Sequence, residues 1–254
     1  NVFKLLVIFL LLDINGAGNR TEIVAAASTV FVLPFLLFSH AGGVIADRFS
    51  KTRVIRLLKV AEVAIMLAGC VAVGMRSEPA LYLVLFALCT HSALFGPSKY
   101  GIVPELIKQE GLSRANGILE SLTYLAIIAG TFIPSYLLLE VFSRQYLAVG
   151  FFCAGVALAG LLASRGIEVV PTRGQSRRFT PLFVMDVWRT LRETSKDRDL
   201  FLTIAGSAYF LFLASFIQQN TLIYGQECLG MDWLASGYLF PVAALGIGVG
   251  AVIS

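Results

Sequence analysis

Apolar runs as deep as a membrane recur along this chain and leave it few ways to fold. They fall at about 2–12, 22–40, 54–74, 80–98, 116–139, 146–163, 201–223 and 234–254. A helix needs about 20 apolar residues, at about 1.5 Å each, to cross a bilayer, and most of these runs qualify. Only 14% of the 254 residues are charged, where soluble domains carry about 25%. Backbone groups in lipid must be satisfied within their own segment, so the expectation is an all-α polytopic membrane protein. The first run, NVFKLLVIFLLL, gives only about 18 Å of helix, and the chain opens on Asn1 and closes inside the run GIGVGAVIS. Both ends are expected to be cut from longer helices. The opening run lacks the basic start and small-residue cleavage site of a signal peptide.

Lysines and arginines orient the runs. If the first run leaves the cytoplasm, the outer loops hold Arg20, Arg76 and Arg144. The inner ones hold Arg48, Lys51, Arg53, Arg56 and Lys59, then Lys99, Lys108 and Arg114, then eight cations between 164 and 199. Sixteen cations inside against three outside is the bias that directs membrane topology. The net charge of +4 is spread between apolar runs and not gathered on one soluble face, which excludes a nucleic-acid-binding protein.

The stretch 164–199 divides the chain. It sets eight cations against Glu168, Asp186, Glu193, Asp197 and Asp199. In its second half Thr180 can cap a helix that Pro181 opens. Phe183, Val184, Val187, Trp188 and Leu191 then share one face, and Asp186, Arg189, Arg192, Glu193 and Lys196 the other. This is the pattern of a helix lying on the membrane surface. The expected organisation is a six-helix bundle over 1–163, a basic linker over 164–199 and the first two helices of a second bundle over 200–254. Gly155, Gly160, Gly246, Gly248 and Gly250 permit close helix approach and carry no chemistry. Cys70, Cys89, Cys153 and Cys228 have no metal-type spacing and read as small buried hydrophobes. The Asn19-Arg20-Thr21 sequon is too common a triplet to weigh.

Two stretches carry more specific information. GGVIADRFSKTR, residues 42–53, puts an acid between basic residues at a helix end. Asp47 can accept bonds from the exposed N–H groups of a neighbouring helix, and remaking such a cluster can bias a two-state transporter. Arg48, Lys51 and Arg53 can equally be simple topology anchors. Gly43, Asp47, Arg48, Lys51 and Arg53 resemble the G-x-x-x-D-R-x-G-R-K loop of the major facilitator superfamily, with Ser50 where glycine is usual and Thr52 in place of a basic residue. Six helices, a long basic loop and further helices are also that superfamily's plan. The resemblance implies a conformational latch at these five residues, working against a second half-bundle.

The second stretch is ALFGPSKYGIVPEL, residues 93–106, with SRANGILES, residues 113–121. They resemble the lysophospholipid transporter family, whose members show a G/S-P-x-K-Y-G-I-x-x-E-L segment after helix four and an A-N-G-x-x-E segment opening helix five. NVFKLL is similar to the end of that family's D-N-x-x-x segment in helix one. The resemblance reaches from residue 1 to about 120. It implies a bacterial inner-membrane transporter that moves lysophospholipid, chiefly lysophosphatidylethanolamine, between leaflets by alternating access, with multi-pass topology and loops 42–53, 99–115 and 164–199 in the cytoplasm. It also implies reacylation by an acyltransferase and acyl-carrier-protein ligase, fused in some relatives. The chain itself shows no such enzyme: the H-x-x-x-x-D pair is absent, because Ile45 follows His40 and Gly96 follows His91 at that spacing. No cofactor or metal is expected.

An ionisable group at membrane depth costs a few kcal/mol on insertion scales, so each one present asks for a reason. Lys4 lies on one helix face with Asn1 and either lines a cavity or pairs with an acid. Lys99 either snorkels or meets a phosphodiester as a point charge. Glu120 can attract an amine, pair with Lys99 or face water. Gln218, Gln219 and Asn220 cannot all face lipid, and Gln218 is a candidate for the cavity. His91 reads more readily as a helix–helix hydrogen bonder than as a proton relay. The candidate substrate residues are thus Asn1, Lys4, Lys99, Glu120 and Gln218. The competing reading is a facilitator for a soluble solute or drug, possibly proton-coupled, which would want an acid at depth. A membrane-embedded enzyme finds no nucleophile–base or metal constellation here.

Overall fold

The computed structural model describes residues 2–15, 20–171 and 194–240, together with Trp188 and Arg192. Its described residues are mostly helical, with no strand among them. The helices are α1 (Val2–Asn15), α2 (Arg20–Arg48), α3 (Lys51–Met75), α4 (Glu78–Gly101), the short α5 (Val103–Leu106), α6 (Leu112–Tyr136), α7 (Tyr146–Ser164), α8 (Arg198–Glu227) and the one-turn α9 (Trp233–Ser236). A π-helical turn, Leu137–Val141, extends α6. Six stretches are long and apolar enough to cross a membrane: Glu22–Arg48, Lys51–Met75, Glu78–Leu106, Gln109–Val141, Tyr146–Ser164 and Arg198–Ile217. The chain is a multi-pass membrane protein built from helices.

The chain forms two compact units, Asn1–Arg177 and Arg178–Ser254. In the first, α1 is the core. Apolar all round from Leu5 to Leu12, it buries Phe3 and every residue of that stretch, as a helix segment without a polar face must. The longer helices gather round it: α2 lies along α4, and α3 along both α4 and α7. Their outer faces remain greasy, with Leu36, Leu57, Val71 and Leu83 all exposed, which suits a hydrocarbon solvent. In the second unit α8 opens on Asp197, whose carboxylate accepts from the N–H groups of Asp199 and Leu200. Its Leu200, Phe201, Leu211 and Phe212 are exposed. The amphipathic segment expected around 180–196 and the glycines near 246–250 lie almost wholly outside the described residues.

The helices outrun the apolar segments that announced them. α2 continues past its expected end at 40 to Arg48, and α3 begins at Lys51. The expected loop 42–53 therefore shrinks to Phe49 and Ser50, with Gly43, Asp47 and Arg48 on α2 and Lys51 and Arg53 on α3. Nothing between 40 and 48 breaks a helix except the glycine pair, and Gly42 is put to use. A Cβ there would stand 2.8 Å from the Ala93 carbonyl oxygen of α4. Pro97, four residues after Ala93, lies inside α4 and has no N–H to give that carbonyl. Gly-Pro in the stretch 93–106 thus does not end the helix, which runs on to Gly101. It frees a carbonyl at the place where α2 comes close enough to need glycine.

The chain's ends of helix sort onto two faces. Arg76 after α3 pairs with Asp13 of α1 at 2.9 Å, both at one face. Lys51 at the start of α3 pairs with Glu105 of α5 at 2.6 Å, both at the other. Cys70, Cys89 and Cys153 are free and buried and Cys228 free and exposed.

Candidate functional site

Three groups of polar side chains stand among the apolar helices of the first unit. The first joins the two stretches that resemble one transporter family. Lys99 and Tyr100 occupy the last turn of α4, and Glu120 and Thr123 one face of α6. Lys99 Nζ donates to Thr123 Oγ1 at 2.7 Å, and Tyr100 OH donates to Glu120 Oε2 at 3.1 Å. Thr123 Oγ1 in turn donates a hydrogen bond to the Leu119 carbonyl at 2.6 Å, which leaves an oxygen lone pair to accept from the ammonium. Lys99 Nζ also lies 5.0 Å from the Tyr100 ring centroid. Beside this seam is a cavity of about 570 Å³ lined by Tyr100, Pro104, Leu112, Asn116, Gly117 and Glu120. Of the three roles open to Glu120, pairing with Lys99 is not the one adopted; its partner is a tyrosine.

The second group surrounds Lys4. A cavity of about 310 Å³ between α1, α3, α4 and α7 is lined by Lys4, Lys59, Glu62, His91 and Ser92 among apolar residues. Lys4 Nζ stands 4.0 Å from the Phe31 ring centroid, and no carboxylate lies within ion-pair distance among the described residues. Lys59 and Glu62 pair at 2.6 Å across one helical turn. His91 stacks on Phe95; its Nε2 is buried without a hydrogen-bond partner among the described residues, while the ring makes the expected helix–helix hydrogen bond to the Leu58 backbone of α3. Sequence reasoning had counted Lys59 only as a topology cation and overlooked Glu62. The Lys-x-x-Glu spacing inside an apolar run was the available signal, because a pair one turn apart can neutralise itself at depth.

The third group lies at the cation-rich face. Lys51, proposed from sequence as a latch residue, is held by Glu105, with side chains only 12% and 5% exposed. Arg48 stands over the Phe49 ring at 5.9 Å, and Arg53 is exposed. Asp47 is half-buried and Gly43 has open space at its Cα. The two departures from the family loop have clear work. Thr52, fully buried, donates to the Glu168 carbonyl at 2.8 Å and accepts from the Val170 N–H at 3.2 Å. Ser50 donates to the Val170 carbonyl at 2.7 Å. Arg56 donates to the carbonyls of Ser164, Arg165 and Ile167. Val170 packs with Ile55 and Ile102, against which Phe95 and Ile167 also lie. The first residues beyond α7 are thereby strapped across the start of α3.

Two expected residues lie beyond reach of this description. Asn1 and the side chain of Gln218 are outside the described residues, although the backbone of Gln218 sits within α8. Asn220, close by, satisfies its amide by donating to the Phe216 carbonyl of its own helix at 2.8 Å. One of its two N–H donors is thus satisfied within its own helix.

Residues 3–254 match the sequence model of the Major Facilitator Superfamily. Several known bacterial proteins are similar over most of the chain. The lysophospholipid transporter LplT of Enterobacter sp. (strain 638) is 29% identical over 225 residues, which cover 87% of this chain and 54% of that protein. Proteins of the same name from Klebsiella pneumoniae subsp. pneumoniae and Cronobacter sakazakii are 30% and 28% identical, again over 87% of this chain and 54% of theirs. The chain thus spans about half the length of the relatives it matches.

Proposed function

The chain belongs to the Major Facilitator Superfamily, a family of transporters rather than enzymes, and from that premise we propose that it serves in moving lysophospholipid across the bacterial inner membrane by alternating access. The observation that carries this reading is the seam between α4 and α6. Two stretches separated in sequence, each similar to segments of lysophospholipid transporters, meet there through Lys99–Thr123 and Tyr100–Glu120. A charged pair of groups at the edge of an open cavity suits a polar headgroup, while the apolar helix faces around it suit a single acyl tail. In this reading Lys99 meets the phosphodiester as a point charge, and Glu120 faces the amine. Asn1, Lys4 and Gln218 are kept as further substrate-contacting residues on the sequence reasoning alone.

The latch is the second part of the proposal. Gly43, Asp47, Arg48, Lys51 and Arg53 sit where α2 gives way to α3. Lys51 already has a partner in Glu105, so a switch at this cluster has that pair to break. Cations at this face accord with the cytoplasmic side.

Uptake of labelled lysophosphatidylethanolamine, with and without an ion gradient, tests the reading. Accumulation of the lysolipid is the expected result. A protein that moves no lysolipid but carries a water-soluble compound, in a gradient-dependent way, would overturn it.

A further inference from the structure

The two ring nitrogens of His91 do different things. The ring bonds to the Leu58 backbone of α3, and Nε2 has no partner among the described residues, so that bond belongs to Nδ1. Inside α3 the Leu58 N–H is tied up in the helix, whereas its carbonyl has a second lone pair. Nδ1–H is therefore the donor, and in the neutral ring Nε2 carries a bare lone pair. His91 is 7% exposed and lines the cavity of about 310 Å³ described above. The titratable groups that share this cavity are Lys4 of α1, Lys59 and Glu62 of α3, Cys89 of α4 and Cys153 of α7, while α2 contributes Phe31. Glu62 is the one acid among the described residues that line it. Glu62 and Lys59 both act electrostatically on the His91 ring. Lys59 holds Glu62 at 2.6 Å, yet its Nζ also lies 5.0 Å from the centroid of the Phe95 ring, on which His91 stacks. Lys59 thus has a second, aromatic neighbour that can keep it when Glu62 is elsewhere.

Resting on the lysolipid reading above, we infer that this cavity is a proton site centred on His91 Nε2, and that lysolipid crosses together with a proton. The proton comes from water, bonds to the Nε2 lone pair and turns the ring into a cation. Glu62 swings to that cation and leaves Lys59, so one acid serves two cations in turn. Glu62 is the ionisable acid at depth that a proton path requires. Lys59 also acts electrostatically on Lys99. Freed of Glu62, it adds its whole charge to the field that an anionic group meets there. A bound proton therefore tightens the hold on an anion, and by reciprocity a bound anion tightens the hold on the proton. With Lys4 and Lys59 the cavity already carries more positive charge than Glu62 offsets, so the proton is held firmly only while the anion is bound. Two ligands that favour each other in this way move as a pair. When the anion leaves, Lys59 reclaims Glu62 and the proton returns from Nε2 to water.

The test is uptake of labelled lysophosphatidylethanolamine into proteoliposomes with the membrane potential clamped, with and without a gradient of about one pH unit, acid outside. One proton per lysolipid makes that gradient worth about 1.4 kcal/mol, or about tenfold in the steady-state ratio of inner to outer lysolipid. Without a gradient, lysolipid added to weakly buffered vesicles should carry protons inward and turn the medium alkaline. His91→Gln, which cannot take the proton, should still equilibrate lysolipid but lose both the gradient response and the pH change. Glu62→Gln, which keeps an acceptor for Lys59 and removes the counter-charge, should do the same. Equilibration that persists without gradient response cannot come from misfolding. Accumulation by the unaltered protein that ignores the gradient, or a gradient response that survives His91→Gln, would overturn the inference and leave the lysolipid reading standing. Failure of the unaltered protein to move lysolipid at all would overturn both.

Discussion

Thr52 gives the sharpest test of how the first unit is held together. Its hydroxyl is both donor to the Glu168 carbonyl and acceptor for the Val170 N–H, and the side chain is fully buried. Thr52→Val keeps the shape and removes only these two bonds. The lost donor costs about 0.5–1.5 kcal/mol, and the stranded Val170 N–H about 1–3 kcal/mol for its desolvation. If the strap stays in place, the sum is about 1.5–4.5 kcal/mol. For a unit of this size that is a fall in apparent Tm of roughly 3–18 °C. If the strap lifts instead, water repairs the broken bonds, the melting loss is smaller, and trypsin cleaves faster after Arg165. Thr52→Ser separates the causes, because it retains the hydroxyl and loses one methyl group, about 0.8 kcal/mol. The assay is a thermal melt in detergent beside limited proteolysis. A valine variant with unchanged melting and unchanged cleavage would refute the reasoning. So would a serine variant that suffers as much as the valine, since packing and not hydrogen bonding would then hold the strap.

Gly42→Ala should destabilise the α2–α4 contact by about 1–3 kcal/mol, seen as a lower Tm, because the nearest obstacle to the new Cβ is the Ala93 backbone and not a movable side-chain tip. Gly43→Ala, with open space around it, should melt like the parent. Asp47→Asn should slow turnover more than it weakens substrate affinity; a loss confined to affinity would remove Asp47 from the latch. Lys99→Ala should abolish lysolipid uptake at normal expression, and undiminished uptake would take Lys99 out of the site.

Runs such as 54–74 and 80–98 made the spanning helices legible, because nothing but a helix satisfies the backbone over such lengths in lipid. The limits of those helices were not legible. Hydropathy marks where lipid ends, whereas a helix ends where its hydrogen bonding fails, and α2 carries Asp47 and Arg48 well beyond its apolar part. Lys99 and Glu120 could be named from sequence because each is a charge in an unexpected place. Thr123 and Tyr100, which decide what those charges do, have ordinary residue types and acquire their roles only when α4 meets α6. Glu62 was hidden differently: its lysine, Lys59, had already been explained as a topology cation, and its own charge then drew no attention. Ser50 and Thr52 read as lapses from a family pattern until their partners, more than a hundred residues away, came into view.

The riveting of residues 164–170 onto α3 changes where tension is felt. Covalently, the chain leaves the first bundle at the tip of α7. Mechanically it departs from the first turn of α3, because Ser50, Thr52 and Arg56 take up the load before α7 can. Any tug on the downstream chain is therefore delivered next door to Asp47 and Lys51.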